Sequence, residues 1–69
     1  MQVSARNTLK GTVKHISFGT VNTEIIIELA PGVEVTSIIT KSSAENLNLS
    51  EGKEVYAIVK ATDVMIGID

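Results

Sequence analysis

The sequence contains no cysteine and only one histidine, and these two scarcities exclude several classes of site. Without cysteine the chain can form neither a disulfide bond nor a thiolate metal site, and a single histidine argues against structural zinc. His15 lies in a strand-like run without a nucleophile motif, where a histidine is more often structural than catalytic. HExxH, paired-carboxylate and glycine-rich phosphate motifs are also missing. We therefore expect no enzymatic activity, no catalytic cofactor and no bare metal cation.

Aromatic residues and surplus positive charge are equally scarce. Phe18 and Tyr56 are the only aromatic residues, and six basic residues against eight acidic ones leave a net charge of −2. A nucleic-acid-binding surface neutralises phosphates with clustered basic residues and often stacks bases on aromatic side chains. We therefore expect no nucleic-acid partner.

Long hydrophobic runs are missing as well. No apolar run approaches the roughly 20 residues of a membrane-spanning helix, and residues 1–4 have no signal-peptide character. These features predict a cytoplasmic protein that does not enter a membrane. The chain has only 69 residues, yet 43% of them are hydrophobic. Because so small a domain buries only about 60% of its unfolded surface, we expect the excess apolar surface to be buried in a homo-oligomer.

Alternating apolar and polar residues predict β-strands over most of the chain. We predict five strands, at residues 9–16, 21–29, 33–40, 54–61 and 64–68, with a hairpin turn at Ala30-Pro31-Gly32. Ser42 and Glu45 have capping-box spacing and predict a short helix between strands three and four. This order is that of an all-β, five-stranded OB-type barrel with one short helix, formed by residues 1–69 as a single domain. A small open sheet or sandwich is the alternative.

Three clusters of hydrogen-bond donors lie at the ends of the predicted strands, and none contains a carboxylate. They occupy residues 4–7, 40–43 and 60–62. Arg6 offers a planar fork of donors, Lys60 offers a compact charge, and a helix start exposes free backbone N–H groups. Taken singly, each cluster could be a helix cap or a solvated surface. Their shared position and the missing acids favour an anion site.

The motif Ser-Ala-Arg-Asn-Thr-Leu-Lys-Gly at residues 4–11 is similar to the SARNxLxG opening of the molbindins, small molybdate-binding proteins also called molybdopterin-binding (Mop) proteins. The resemblance continues through residues 19–21, 38–40, Ser43, the LxLxEG motif at 47–52 and VKATDVMI at 59–66. It covers essentially the whole chain in order. The same TOBE-type domain recurs in molybdate-dependent regulators and importer ATPases.

This resemblance implies a hexamer, a trimer of dimers, that binds molybdate or tungstate at subunit interfaces for storage and homeostasis of the metal. The implied oxyanion ligands are Ser4, Arg6, Thr40, Ser43, Lys60, Ala61 and Thr62. A second oxyanion site is implied at a turn formed by Gly19, Thr20 and Val21.

The residue types in these clusters suit a fully deprotonated tetrahedral dianion. Molybdate and tungstate oxygens only accept hydrogen bonds, and hydroxyl, guanidinium, ammonium and N–H groups can satisfy all of them. Phosphate often carries a proton near neutral pH, and a pocket without an acceptor leaves that proton unpaired at a cost of about 1–3 kcal/mol. Two other functions stay open at this point, a nucleic-acid-binding OB-fold domain and a purely structural interaction module.

Overall fold

The structure, a computed structural model, describes residues 3–69. The expectation about a signal peptide falls partly on Met1 and Gln2, which lie outside the described residues. Four strands, one α-helix and one 3₁₀ turn make up the regular structure of residues 3–69. They are β1 (Asn7–Phe18), β2 (Asn22–Ala30), β3 (Val33–Thr40), α1 (Lys41–Asn46), β4 (Glu54–Val59) and the 3₁₀ turn (Ala61–Asp63).

The four strands form one antiparallel sheet in the order β3-β2-β1-β4. β1 is shared between two partners, because its first half pairs with β4 and its second half pairs with β2. The change of partner falls at Thr12, which lies opposite Glu54 on one side and Glu28 on the other. A register shift between Val13 and His15 marks a β-bulge just beyond it. Bulges increase local twist, so the sheet curls into a half-barrel.

One face of the curled sheet carries the hydrophobic core. Three strands contribute its buried residues: Val13 comes from β1, Ile25 and Ile27 from β2, and Ala57 from β4. A ring of half-buried apolar side chains surrounds them: Ile16, Leu29, Val35, Ile39, Leu49 and Val55. The buried β2 residues are two apart, as the alternation of side chains along a strand requires.

Gly11 lies immediately before the change of partner in β1, where no side chain fits. A Cβ built at Gly11 would lie 2.7 Å from the carbonyl oxygen of Glu28 and 2.7 Å from Cγ2 of Ile27. The first contact is with backbone, which cannot rotate away as a side chain can. The glycine therefore allows β2 to approach the bend in β1.

Replacing Gly11 with alanine should therefore destabilise the fold. We expect the free energy of unfolding to fall by about 1–3 kcal/mol, the usual cost of overpacking a close contact. Urea unfolding of Gly11→Ala measures this. Ser17→Thr is the matched control, since it adds one methyl group at an exposed position of the same strand and should change stability by less than about 0.5 kcal/mol. Equal effects of the two variants would contradict the close approach at Gly11.

The N-cap of the helix lies two residues before Ser42, the cap that the capping-box spacing predicts. Its N-cap is Thr40, whose Oγ1 accepts a hydrogen bond from the N–H of Ser43 at 3.0 Å, so Ser42 does not serve as the cap. The helix packs against β3 and β2, and Ala44 is its buried residue. The predicted hairpin turn between β2 and β3 is present, and Gly32 has the positive φ of 78° that the turn requires.

The fifth strand predicted at residues 64–68 is not formed, and the sheet has four strands. β4 ends at Val59, and the 3₁₀ turn that follows takes the chain out of register with the sheet. The last residues pair with no strand within residues 3–69. Their side chains are almost fully exposed, with Met65 at 92%, Ile66 at 89% and Ile68 at 95%. An apolar, strand-like segment therefore lies outside the sheet of its own chain.

Candidate oxyanion site

Two of the three predicted donor clusters line one pocket at the end of the sheet. The pocket has a volume of about 130 Å³ and is lined by Ser4, Ala5, Arg6, Lys60, Ala61 and Thr62. Four of these side chains are polar and none is acidic. Five of the seven predicted primary ligands are thus neighbours, although they come from opposite ends of the sequence.

The pairing of β1 with β4 explains why these two segments meet. Asn7 is opposite Val59 in the last rung of that pair, so residues 4–6 and 60–62 leave the sheet side by side. The side chain of Asn7 strengthens this junction, because its Nδ2 donates to the carbonyl oxygen of Val59 at 3.2 Å. Beyond Lys60 the 3₁₀ turn begins, and the first N–H groups of such a turn have no partner within it.

The positive charges of the pocket are not neutralised by neighbouring acids. Among residues 3–69, neither Arg6 nor Lys60 has a carboxylate oxygen within 4.0 Å. Asp63 belongs to the adjacent turn but does not line the pocket. The pocket therefore presents two positive charges and several neutral donors.

Three of the other four basic residues form ion pairs or hydrogen bonds away from the pocket. Lys10 pairs with Glu54 at 3.1 Å, and Lys14 pairs with Glu34 and Glu28. The hydrogen bond to Glu54 and its negative charge raise the pKa of Lys10, and Glu34 raises the pKa of Lys14 in the same way. Lys53 donates to the carbonyl oxygens of Leu47 and Asn48 at the end of α1, at 2.8 and 3.1 Å.

The remaining two predicted ligands, Thr40 and Ser43, lie at the opposite end of the sheet. Thr40 is paired with Asn22, which follows the far end of β1. Most of the twelve-residue strand β1 separates this end from the pocket, in a molecule whose longest dimension is 34 Å. A single chain therefore cannot place all seven predicted ligands around one small anion.

Thr40 and Ser43 lie instead beside the predicted second site. The N–H of Lys41 donates to the carbonyl oxygen of Val21 at 2.8 Å, which joins the start of α1 to the turn of Gly19, Thr20 and Val21. Thr40 Oγ1 donates to Ser43 Oγ at 2.8 Å while accepting from the Ser43 N–H, so the Ser43 hydroxyl keeps its own proton free to donate.

Asn7 adjoins the pocket without lining it, and the sequence predicts no ligand role for it. Its place in the donor cluster at residues 4–7, directly after Arg6, is the feature of the sequence that points to it. Residues 3–69 contain no group of three or more His, Asp or Glu side chains that could hold a metal ion. The helices in that range include none with the length and apolarity needed to cross a bilayer.

A curled antiparallel sheet whose end carries a donor-lined, acid-free pocket defines a small ligand-binding β-domain of the anion-binding type. Comparison with known sequences agrees, because the TOBE domain profile matches residues 3–66. The molybdenum-pterin-binding protein 2 of Clostridium pasteurianum is 50% identical over 66 residues, covering 96% of this chain and 97% of that protein.

Solved structures show the same relationship. A molybdate-binding protein from Sporomusa ovata superposes with a TM-score of 0.91 at 40% identity, covering 99% of this chain and all of that one. The cytoplasmic molybdate-binding protein ModG, solved with molybdate bound, gives a TM-score of 0.93 at 42% identity, and this chain spans 49% of its length. The chain belongs to the molbindins, the small TOBE-domain proteins. The predicted OB-type class is thereby confirmed, with four strands in place of five.

Proposed function

We propose that this chain binds molybdate or tungstate and stores the oxyanion in the cytoplasm, without catalysing a reaction. One observation carries the proposal: Arg6 and Lys60 line one pocket together with Ser4 and Thr62, and no carboxylate joins them. The molybdate-binding relatives from Sporomusa ovata and ModG support the choice of ligand. The cytoplasmic location rests on the description of ModG and on the composition of this chain.

The charges of the pocket match those of the ligand. Arg6 and Lys60 together carry the two positive charges that balance a dianion, so the bound complex leaves no uncompensated charge. The hydroxyls of Ser4 and Thr62 and the N–H groups of Ala61 and Thr62 can donate to the remaining oxygen lone pairs. Charge-assisted bonds of this kind are roughly twice as strong as neutral ones.

The pocket is open on one side, which supports its completion by a second copy of the chain. All its lining residues except the half-buried Ala5 are exposed. Thr40 and Ser43 cannot reach it within one chain, but a neighbouring subunit could bring that end of its own sheet against it. We propose that each anion is held between subunits, by residues 4–6 and 60–62 of one copy and Thr40 and Ser43 of another.

The exposed apolar surface supports assembly, and we propose a hexamer arranged as a trimer of dimers. The free edge of β4 borders an apolar groove of about 350 Å³ that includes Leu47, Leu49, Val55, Tyr56 and Ile58. The segment at residues 64–68 is a continuous apolar run, and it lacks a partner in the sheet formed by residues 3–69. Pairing of this segment with another subunit would cover both surfaces and leave fewer open strand edges.

We retain the turn of Gly19, Thr20 and Val21 as the candidate for a second oxyanion site. The turn is exposed, and its contact with Lys41 places it beside the first residues of α1. The number of anions bound per chain tests whether an anion occupies this turn.

Equilibrium dialysis with molybdate, tungstate, sulfate and phosphate tests the proposed function. We expect molybdate and tungstate to be retained, and phosphate to bind about tenfold or more weakly because the pocket offers its proton no carboxylate. Sulfate carries the same charge and no proton, so its affinity relative to molybdate measures the contribution of size. Retention of no oxyanion would favour a structural module, and retention of a single-stranded oligonucleotide alone would favour a nucleic-acid-binding domain. A parallel arm with the molybdenum-pterin cofactor separates binding of the cofactor from binding of the free oxyanion.

A further inference from the structure

We propose that Asn7 is a positioning residue for the oxyanion pocket, acting through its side-chain hydrogen bond to Val59. The inference rests on the proposed function and adds a residue that contributes no donor to the ligand itself. Asn7 lies directly after Arg6, and Val59 lies directly before Lys60. The bond therefore links the two segments that carry the positive charges of the pocket.

The geometry of the last rung explains why a side-chain link is needed there. The terminal rung of a ladder has neighbours on one side only, and strand ends open locally at low free-energy cost. Residues 3–6 have no regular structure, so nothing in the β-ladder extends beyond Asn7 to hold them. The Nδ2–O distance of 3.2 Å adds a second connection to the backbone pairing of Asn7 and Val59.

The burial pattern also distinguishes Asn7 from its neighbours. Asn7 is half-buried, whereas Arg6 and Thr8 on either side are exposed. Within residues 3–69 its bond is the side-chain hydrogen bond with the largest separation along the sequence, 52 residues, and the others join residues at most 20 apart. This side-chain hydrogen bond therefore connects the first residue of β1 with the last residue of β4.

The chemistry of the amide suits this position. Asparagine donates a hydrogen bond without adding charge, so the pocket keeps the two positive charges that a dianion needs. An aspartate at the same position could not donate to the Val59 carbonyl in its ionised form and would add a negative charge beside Arg6. Holding both segments before the ligand arrives lowers the entropy lost on binding.

The test uses isothermal titration calorimetry to compare the molybdate affinity of the assembled, unaltered protein with that of variants. Asn7→Leu keeps the branched shape and the number of side-chain heavy atoms and removes the donor, and we expect the Kd to rise roughly tenfold with unchanged stoichiometry. Asn46→Leu is the control, since it makes the same replacement at an exposed position of α1 and should leave the Kd unchanged. An unchanged Kd in Asn7→Leu, with normal binding by the unaltered protein, would overturn the positioning role alone. Failure of the unaltered protein to bind would overturn the proposed function.

A double-mutant cycle with Lys60→Ala separates positioning from a general structural effect. If Asn7 acts by holding the Lys60 segment in place, its loss should matter less once the Lys60 ammonium is gone, and the combined loss of affinity should be smaller than the product of the two single losses. Independent, multiplicative losses would overturn the inference. If Asn7→Leu does not assemble, Asn7→Ala is measured in the same cycle, with the same two outcomes.

Discussion

Replacing Arg6 with alanine is expected to abolish molybdate binding at the pocket while leaving the fold intact. Arg6 is exposed, precedes β1 and makes no hydrogen bond or ion pair to the rest of residues 3–69, so the folded chain does not depend on it. Its removal takes away one of the two charges that balance the dianion and a fork of charge-assisted hydrogen bonds. We expect the affinity to fall on the order of 100-fold or more.

Calorimetry and thermal unfolding together measure this effect. Molybdate at about 100 times its Kd should stabilise the unaltered protein by roughly 2.7 kcal/mol through mass action, whereas Arg6→Ala should gain almost nothing at the same concentration. Arg6→Lys should fall between the two, because it keeps the charge and loses the planar fork.

Lys10→Ala provides the matched control for the loss of one positive charge. Lys10 lies on β1, outside the pocket, with its ammonium group on the surface next to Glu54. A surface ion pair of this kind contributes little to stability, so the variant should bind molybdate normally and keep its ligand-induced stabilisation. If Arg6→Ala behaves like Lys10→Ala, then Arg6 is a solubilising surface residue and the assignment of the pocket is wrong.

Introducing a charge into the C-terminal segment is expected to dissociate the assembly. Ile66 is 89% exposed in the single chain, so Ile66→Glu should cost the fold of one subunit almost nothing. If residues 64–68 pack into the apolar groove beside β4 of another subunit, the same change would bury an unpaired carboxylate at the interface, which is strongly unfavourable. Sedimentation velocity should then show a shift from the assembled species to smaller ones.

The control for this second experiment is Asn46→Glu, which adds the same charge at the exposed end of α1. It should sediment like the unaltered protein. Because Thr40 and Ser43 are proposed to reach the pocket from another subunit, dissociation by Ile66→Glu should also weaken molybdate binding. An Ile66→Glu protein that stays assembled would show that the C-terminal segment is not part of the interface.

Local features of the fold were predictable because their signals are local. The run of isoleucines in β2 and the β-branched residues of β3 identify both strands to within a residue, and Pro31-Gly32 identifies the turn between them. The helix was placed correctly, but its cap was not, since Ser42 and Thr40 are both good caps and only the backbone direction at the end of β3 selects Thr40. Residues 64–68 form a short apolar run compatible with a buried strand, but such a run does not determine which strand it pairs with.

The sequence by itself determined the chemistry of this protein: clusters of donors free of acids, the charges of Arg6 and Lys60, and a mostly β chain that is too apolar for its size. The tertiary structure decided which of these clusters meet. The pairing of Asn7 with Val59 joins residues 4–6 to residues 60–62, while β1 holds Thr40 and Ser43 at the other end of the sheet. The physical reason is that side-chain type and alternation are properties of neighbouring residues, whereas the register between strands depends on contacts between residues far apart in the chain.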